Sequence, residues 1–513
     1  MSTDTASARS VLRAAWLAAL GRPPSGPDAD FFAAGGDSLL VVRMVTELRR
    51  AGVVAGPVDV LRGRTFDGIL RRIAAAGAGP AAAPPPGAGD RTGSVPLLPT
   101  QRRWLRSGFA EPDHFALAWV FRVPPTAPGG GTVEAAELAA AVDALVGRHA
   151  ALRTRYALNG DRSHAEVLPA APDGVFSVAE VDEPGVEPVL RAQLREHDLR
   201  AGRVLTARWL PRQRLLQVAA HHLTLDGYSL GVLADDLEQF LVGAGPTDPA
   251  AQPRDYAAFL ATWVDTPGAR ADADRWAAAP WASVRPVPVE GPGPGLLPST
   301  DMVAAGLDVD ETAALLRWTT ATGRSTEALV LAAAGLAVAE HHRLPAVLVD
   351  TYHHARRPLP DGPDLASAVG YVQASYPVVV EATEVEQVLD VLDRVPADRF
   401  GFDALRFAGR AELDGLPAAQ VRLNFRSRMN ELNSRDGAWL RPADVAVGGR
   451  RAPVQTEPYL LMVEADQVAG RLVLAVKHSC DLINAATARA MVDRALMTVR
   501  GLATRGAATA VPS

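Results

Sequence analysis

The sequence predicts two folding units of different class: a small four-helix bundle over residues 1–77 and a two-lobed α/β domain over residues 95–513. Three observations predict this. Apolar side chains recur at helical spacing over residues 7–20 and again over Leu39–Arg49. Residues 78–94 are almost wholly Gly, Pro and Ala, with no periodicity and little to bury. From Val95 onward, short strand-like runs alternate with longer helix-like runs. A chain of 513 residues is too long for one core, and about three folding units is the natural division.

The elements follow in order. Asp37 is the expected N-cap of the helix over Leu39–Arg49. Short helices at Val58–Arg62 and Phe66–Ala75 complete the bundle. The linker at 78–94 is semi-stiff where its prolines cluster, and at about 3 Å per residue it reaches roughly 50 Å. Strands are expected at Phe115–Val123, Leu215–Ala220, Ala346–Asp350, Tyr376–Val380, Val421–Phe425 and Leu472–Val476. Helices are expected at Val133–His149, Leu230–Leu241, Asp310–Thr322, Thr326–His341 and Ala485–Leu502. A Pro/Gly-rich break from Pro286 to Pro298 divides the larger unit into lobes at 95–285 and 286–513.

Composition excludes several classes. Apolar residues make up 48% and charged residues 21%, with a net charge of −6, so there is no basic face for a nucleic acid. No apolar run is long enough for a membrane span, and the N-terminus lacks the features of a secretory signal. The single cysteine, Cys480, forbids an intrachain disulfide and reads as a small core residue, and a cytoplasmic location is expected.

The first chemical motif is FFAAGGDSLLVVRMVTELRR. Gly35 and Gly36 supply a flexible turn, and Ser38 then stands where a helix N-terminus favours a phosphodiester. Asp37 is placed to help hold the metal and donor of a modifying enzyme. Over residues 7–77 this segment resembles the peptidyl and acyl carrier proteins of modular synthetases. The resemblance implies that Ser38 bears a 4′-phosphopantetheine arm, installed by a phosphopantetheinyl transferase, whose thiol holds an acyl or aminoacyl thioester.

The second motif is AAHHLTLDGYSL, with His221, His222, Asp226 and Gly227 as its candidate catalytic residues. An imidazole at a strand end can handle a proton near neutral pH. An Asp four residues later can pair with a cation and fix the loop, and Gly227 permits close backbone approach. Alone, the same residues also read as a satisfied strand-end pair followed by an Asp-Gly turn. With LLPTQRRWL (Leu97–Leu105) and GRHAALRTRY (Gly147–Tyr156), they resemble the condensation superfamily of nonribosomal peptide synthetases over residues 95–505. The resemblance implies two lobes, each like chloramphenicol acetyltransferase, with a tunnel between them. It makes His222 the catalytic or positioning base and Asp226 a structural group held by Arg356 or Arg357. It implies no metal.

AVGYVQASYPV (Ala368–Val378) and FGFDALRF (Phe400–Phe407) are more similar to epimerization domains. Where those enzymes carry a Glu, LVDTYHHARRP (Leu348–Pro358) places Tyr352, with His354 and Arg356 at the family's His and Arg. Inverting a Cα centre needs two acid/base groups on opposite faces, and a tyrosine with an ordinary pKa near 10 is a poor base at about pH 7. Amide formation needs one. The residues therefore favour condensation of the Ser38-bound acyl group with an amine, supplied by an acceptor carrier or as a small molecule. Epimerization and a noncatalytic recruitment platform are the alternatives. No stretch has room for an adenylation domain, so a separate adenylation enzyme is expected to load the carrier. His353, His354 and Tyr352 are placed on a loop lining the tunnel. Arg422, Arg426 and Arg428 read as a solvated strand end, or as contacts to a phosphate or an acidic substrate.

Overall fold

A computed structural model describes the chain except residues 1, 33, 35, 37, 54, 77–91, 128–129, 244, 247–250, 357–358, 360, 396–398, 428–437, 446 and 510–513. The N-terminal unit has helices Ser2–Leu20, Ser38–Arg50, Pro57–Gly63 and Phe66–Ala76. Their apolar stripes close on Trp16, which meets Phe31 edge-on at 5.2 Å and Phe66 at 5.8 Å. Proline at the start of the third helix costs no hydrogen bond, because that N–H has no helical partner anyway.

The larger unit holds two main sheets. One has five strands in the order Arg441–Pro442, Ala116–Arg122, Leu215–His221, Leu205–Leu210 and Phe176–Val178. Strand Leu215–His221 is buried along its whole length, which explains its unbroken apolar run. Its one polar interior residue, Gln217, donates to the Leu190 carbonyl and the Gln193 side chain. The other sheet has six strands in the order Gln373–Glu381, Ala346–His354, Val421–Ser427, Leu461–Val468, Arg471–Ser479 and Thr300–Gly306. Helix Thr326–His342, apolar on every side and capped by Ser325, lies buried in this second core.

The chain passes between lobes more often than the Pro/Gly break suggests. Helices Pro253–Trp263 and Pro267–Ala277 contribute Tyr256, Trp263 and Trp276 to the core of the six-stranded lobe. Leu440 returns to the core of the five-stranded lobe, beside the edge strand Arg441–Pro442. The last residues of the expected linker form strand Gly93–Val95, paired with His164–Val167.

Two expectations need correction. Strand Ala346–His354 runs four residues past Asp350, because residues 351–354 stay paired with 373–376. Residues 352–354 are therefore strand, not loop. Cys480 is exposed rather than core, since it follows the last residue of strand Arg471–Ser479 in the turn before the final helix. Donor atoms of Asp301, His478 and Cys480 lie within 4.8 Å of one another, a grouping with no counterpart in the sequence motifs. No described helix is long and apolar enough to cross a membrane.

Candidate active site

A cavity of about 1160 Å³ lies between the two sheets, with His222 and Tyr371 together on one side and Tyr352 and Arg422 on strands of the six-stranded sheet. The geometry of the histidine motif starts at the end of strand Leu215–His221. The two adjacent imidazoles have different fates. His221 is fully buried, its Nδ1 accepts from the Leu223 N–H at 3.1 Å, and its Nε2 lies 2.7 Å from the Pro112 carbonyl. A carbonyl only accepts, so Nε2 carries the proton and both nitrogens are used. Burial first, and His197 next, hold its pKa well below the ordinary imidazole value. His221, grouped with the catalytic residues on sequence, is thus a neutral structural residue.

His222 is only half-buried. Its Nδ1 lies 3.0 Å from the Leu225 carbonyl, which assigns the proton to Nδ1 and leaves the Nε2 lone pair available. The rings of Phe115 and Tyr371 flank it at 4.8 and 5.0 Å. Burial lowers its pKa, bonds to backbone carbonyls and Asp226 oppose this in part, and the positive charge of Arg422 adds to the lowering. The free-base form of His222 therefore persists below the ~6.5 of an ordinary imidazole. The expected result is that catalysis holds as pH falls to about 6.5 and declines only below it. A pH–rate profile with a weakly basic amine acceptor checks this, and His222→Ala should remove the limb.

Asp226 does two jobs. Its Oδ1 caps helix Gly227–Leu241 by accepting from the Ser229 N–H at 3.0 Å. Both carboxylate oxygens also receive Arg356, at 2.8 and 3.0 Å. Arg356 has no exposed surface, donates further to Ser229 Oγ and the Ala368 carbonyl, and stacks on Tyr228. The Asp226 N–H and the Ser229 hydroxyl both reach the Gly370 carbonyl. The motif loop is thereby locked to the opposite lobe. Gly227 does not serve the close approach expected of it, because an added Cβ would meet no protein atom within 4 Å.

The sequence motifs converge here. Gln101 donates to the Tyr156 hydroxyl and to the Leu223 carbonyl, each at 3.0 Å, so the first two motifs brace the histidine loop. Arg103 binds both Asp350 and Asp403, and the Tyr459 hydroxyl donates to Asp350 at 2.7 Å. Sequence reasoning did not single out these four, although Asp350 and Asp403 each stand as a lone charge within an apolar run. Arg422 is buried, which corrects the solvated reading, while Arg426 pairs with Glu464 at 2.7 Å. Tyr352 lies against the Arg422 guanidinium and opposite Ser375. The side chain of His354, and all of Asp37, Arg357 and Arg428, lie outside the described residues.

On the small bundle, Ser38 is the first residue of helix Ser38–Arg50, whose first turn has no acidic residue. Gly36 sits so tightly against Phe31 that a Cβ would lie 2.3 Å from the ring. A serine at a helix N-terminus after this turn suits a phosphodiester.

The chain belongs to the condensation-domain family: the Condensation domain model matches residues 91–509, and the Phosphopantetheine attachment site model matches residues 10–73. It is a carrier domain of the nonribosomal peptide synthetase type, bearing covalent 4′-phosphopantetheine, followed by a two-lobed chloramphenicol-acetyltransferase-like domain. Chondramide synthase cmdD of Chondromyces crocatus is 26% identical over 96% of this chain and 13% of its own length. Surfactin synthase subunit 2 of Bacillus subtilis (strain 168) is 24% identical over 94% of this chain and 14% of its own. The chain therefore spans only a small part of these relatives. Among solved structures, the epimerization domain from the third module of tyrocidine synthetase B matches with TM-score 0.70 and 19% identity, over 82% of this chain and 99% of that one. The X-domain from teicoplanin biosynthesis matches with TM-score 0.63 and 20% identity, over 81% and 96%. At these identities the likeness concerns the fold alone.

Proposed function

We propose that this chain forms an amide: an acyl group tethered to Ser38 is transferred to an amine at His222. One observation carries this reading. His222 Nε2 is an available base in the cavity, whereas the four carboxylates that line it among the described residues are ion-paired. Asp350 and Asp403 are held by Arg103, Glu457 by Arg451 and Lys477, and Glu464 by Arg426. A second strong base for inversion at Cα is thus missing among the described residues.

The phosphopantetheine thiol supplies a thioester carbonyl open to attack. His222 Nε2 takes the proton from the amine nitrogen as the C–N bond forms, and returns it to the departing sulfur as the C–S bond breaks. The cavity walls hold the two reactants together, which lowers the entropic part of the barrier. A phosphopantetheinyl transferase installs the arm on Ser38, an adenylation domain loads it, and the acceptor is a carrier-bound or free amine.

Epimerization assigns Tyr352 the second proton, and this separates the readings. Tyr352→Phe keeps the ring that covers Arg422 and removes only the hydroxyl. Amide formation in this variant should stay within about threefold of the parent, followed by mass spectrometry of the product. Hydrogen exchange at Cα in the parent, with no amide formed, that falls 100-fold or more in Tyr352→Phe would favour epimerization.

A further inference from the structure

Charge in the cavity runs against charge on the chain. The protein is net −6, yet among the described residues seven cationic side chains and only four carboxylates line the cavity. Arg103 takes two of those carboxylates and Arg422 takes none. Arg422 is 7% exposed and stands beside Asp350 on the neighbouring strand. Its hydrogen bonds go to neutral groups, the Tyr459 hydroxyl at 3.2 Å and the Ser375 hydroxyl at 3.4 Å. Its Nε has no hydrogen-bond partner among the described residues. Burial pushes its pKa down to about 10, with Tyr459 and Asp350 opposing the shift. A buried guanidinium that makes no direct ion pair is costly, and its planar fork is suited to a carboxylate.

We propose that Arg422 binds the carboxylate of the acceptor, so that the amine entering the cavity is a free amino acid. This rests on the amide-forming reading above. His222 and Arg422 line one cavity, His222 just after strand Leu215–His221 of one sheet and Arg422 on strand Val421–Ser427 of the other. An amino acid offers both groups the site asks for, an amine for His222 and a carboxylate for Arg422. The pantetheine phosphate stands at the far end of the arm from the thioester, which makes it a poor occupant beside His222. A carrier-bound aminoacyl group has its carboxyl consumed in a thioester and offers Arg422 no charge. In the reaction the C–N bond forms and the C–S bond breaks, the amine proton passes through His222 to sulfur, and the carboxylate is unchanged. The products are an N-acyl amino acid and the free thiol.

The test uses the full chain, phosphopantetheinylated and acyl-loaded, with common amino acids each paired with its carboxamide, and with an aminoacyl carrier as a separate acceptor. At least one amino acid should exceed its carboxamide in kcat/KM by roughly 10- to 100-fold, the range for losing a charge-assisted hydrogen bond. In Arg422→Met that ratio should fall to about one through a rise in KM for the acid, and Arg422→Lys should restore part of it. Amide formation that ignores the carboxylate, that prefers the aminoacyl carrier, or that keeps its preference for the acid in Arg422→Met overturns the assignment and leaves amide formation standing. Failure of every acceptor overturns both.

Discussion

Replacing His222 with alanine should lower kcat/KM for amide formation by roughly 10²- to 10⁴-fold, the usual contribution of a positioned acid/base group. The fold should tolerate the change. His222 is half-buried, and its Nδ1 hydrogen bond goes to the Leu225 carbonyl, three residues along the same loop. The matching change at His221 should behave in the opposite way. His221 Nδ1 and Nε2 both bind backbone groups, and its removal leaves the Leu223 N–H and the Pro112 carbonyl unpaired in the interior. His221→Ala should therefore lower thermal stability together with activity. Steady-state kinetics and a melting curve on the two variants, side by side, check the division of labour between adjacent histidines.

The second large effect is expected at Arg356. Arg356→Met leaves Asp226 buried beside an apolar side chain, and breaking a buried pair in this way costs about 3–5 kcal/mol. The same change frees the Ala368 carbonyl and one of the ties that hold Ser229. The thermal transition should move down, and activity should fall with it, because Asp226 both caps the helix after the motif and anchors the loop that carries His222. Arg356→Met combined with Asp226→Asn should cost clearly less than the sum of the single changes, since no uncompensated charge then remains. Full additivity of the two changes would contradict the coupling.

These two residues also show how far the sequence reached. The helices of the small bundle were legible from apolar periodicity, because each packs one stripe against a single shared core, although the first begins at Ser2 rather than at residue 7. Ser38 and His222 could be singled out as candidates because their motifs are contiguous. Arg356 was legible only as one of two neighbours, since no local pattern says which of Arg356 and Arg357 turns inward. The cluster of Arg103, Asp350, Asp403 and Tyr459 joins four distant segments. Only sheet register and lobe packing bring these groups together, and no spacing rule in one segment encodes that. The strand extension to His354 was missed for a similar reason, as its pairing partner at 373–376 is set by the tertiary fold. Gly227 failed in the opposite direction: a glycine before a helix suggested crowding, and the structure has open space there.

The central claim is that His222 serves acyl transfer rather than inversion at Cα. The most direct measurement is to load the phosphopantetheinylated protein with an aminoacyl group, incubate it in heavy water with and without an amine acceptor, and follow the bound and released species by mass. The account predicts no deuterium at Cα beyond that seen in His222→Ala, and an amide that appears only with the amine, needs His222 and is lost in Ser38→Ala. Deuterium entering at Cα without an amine, in a His222-dependent way and with no amide when the amine is added, would contradict it.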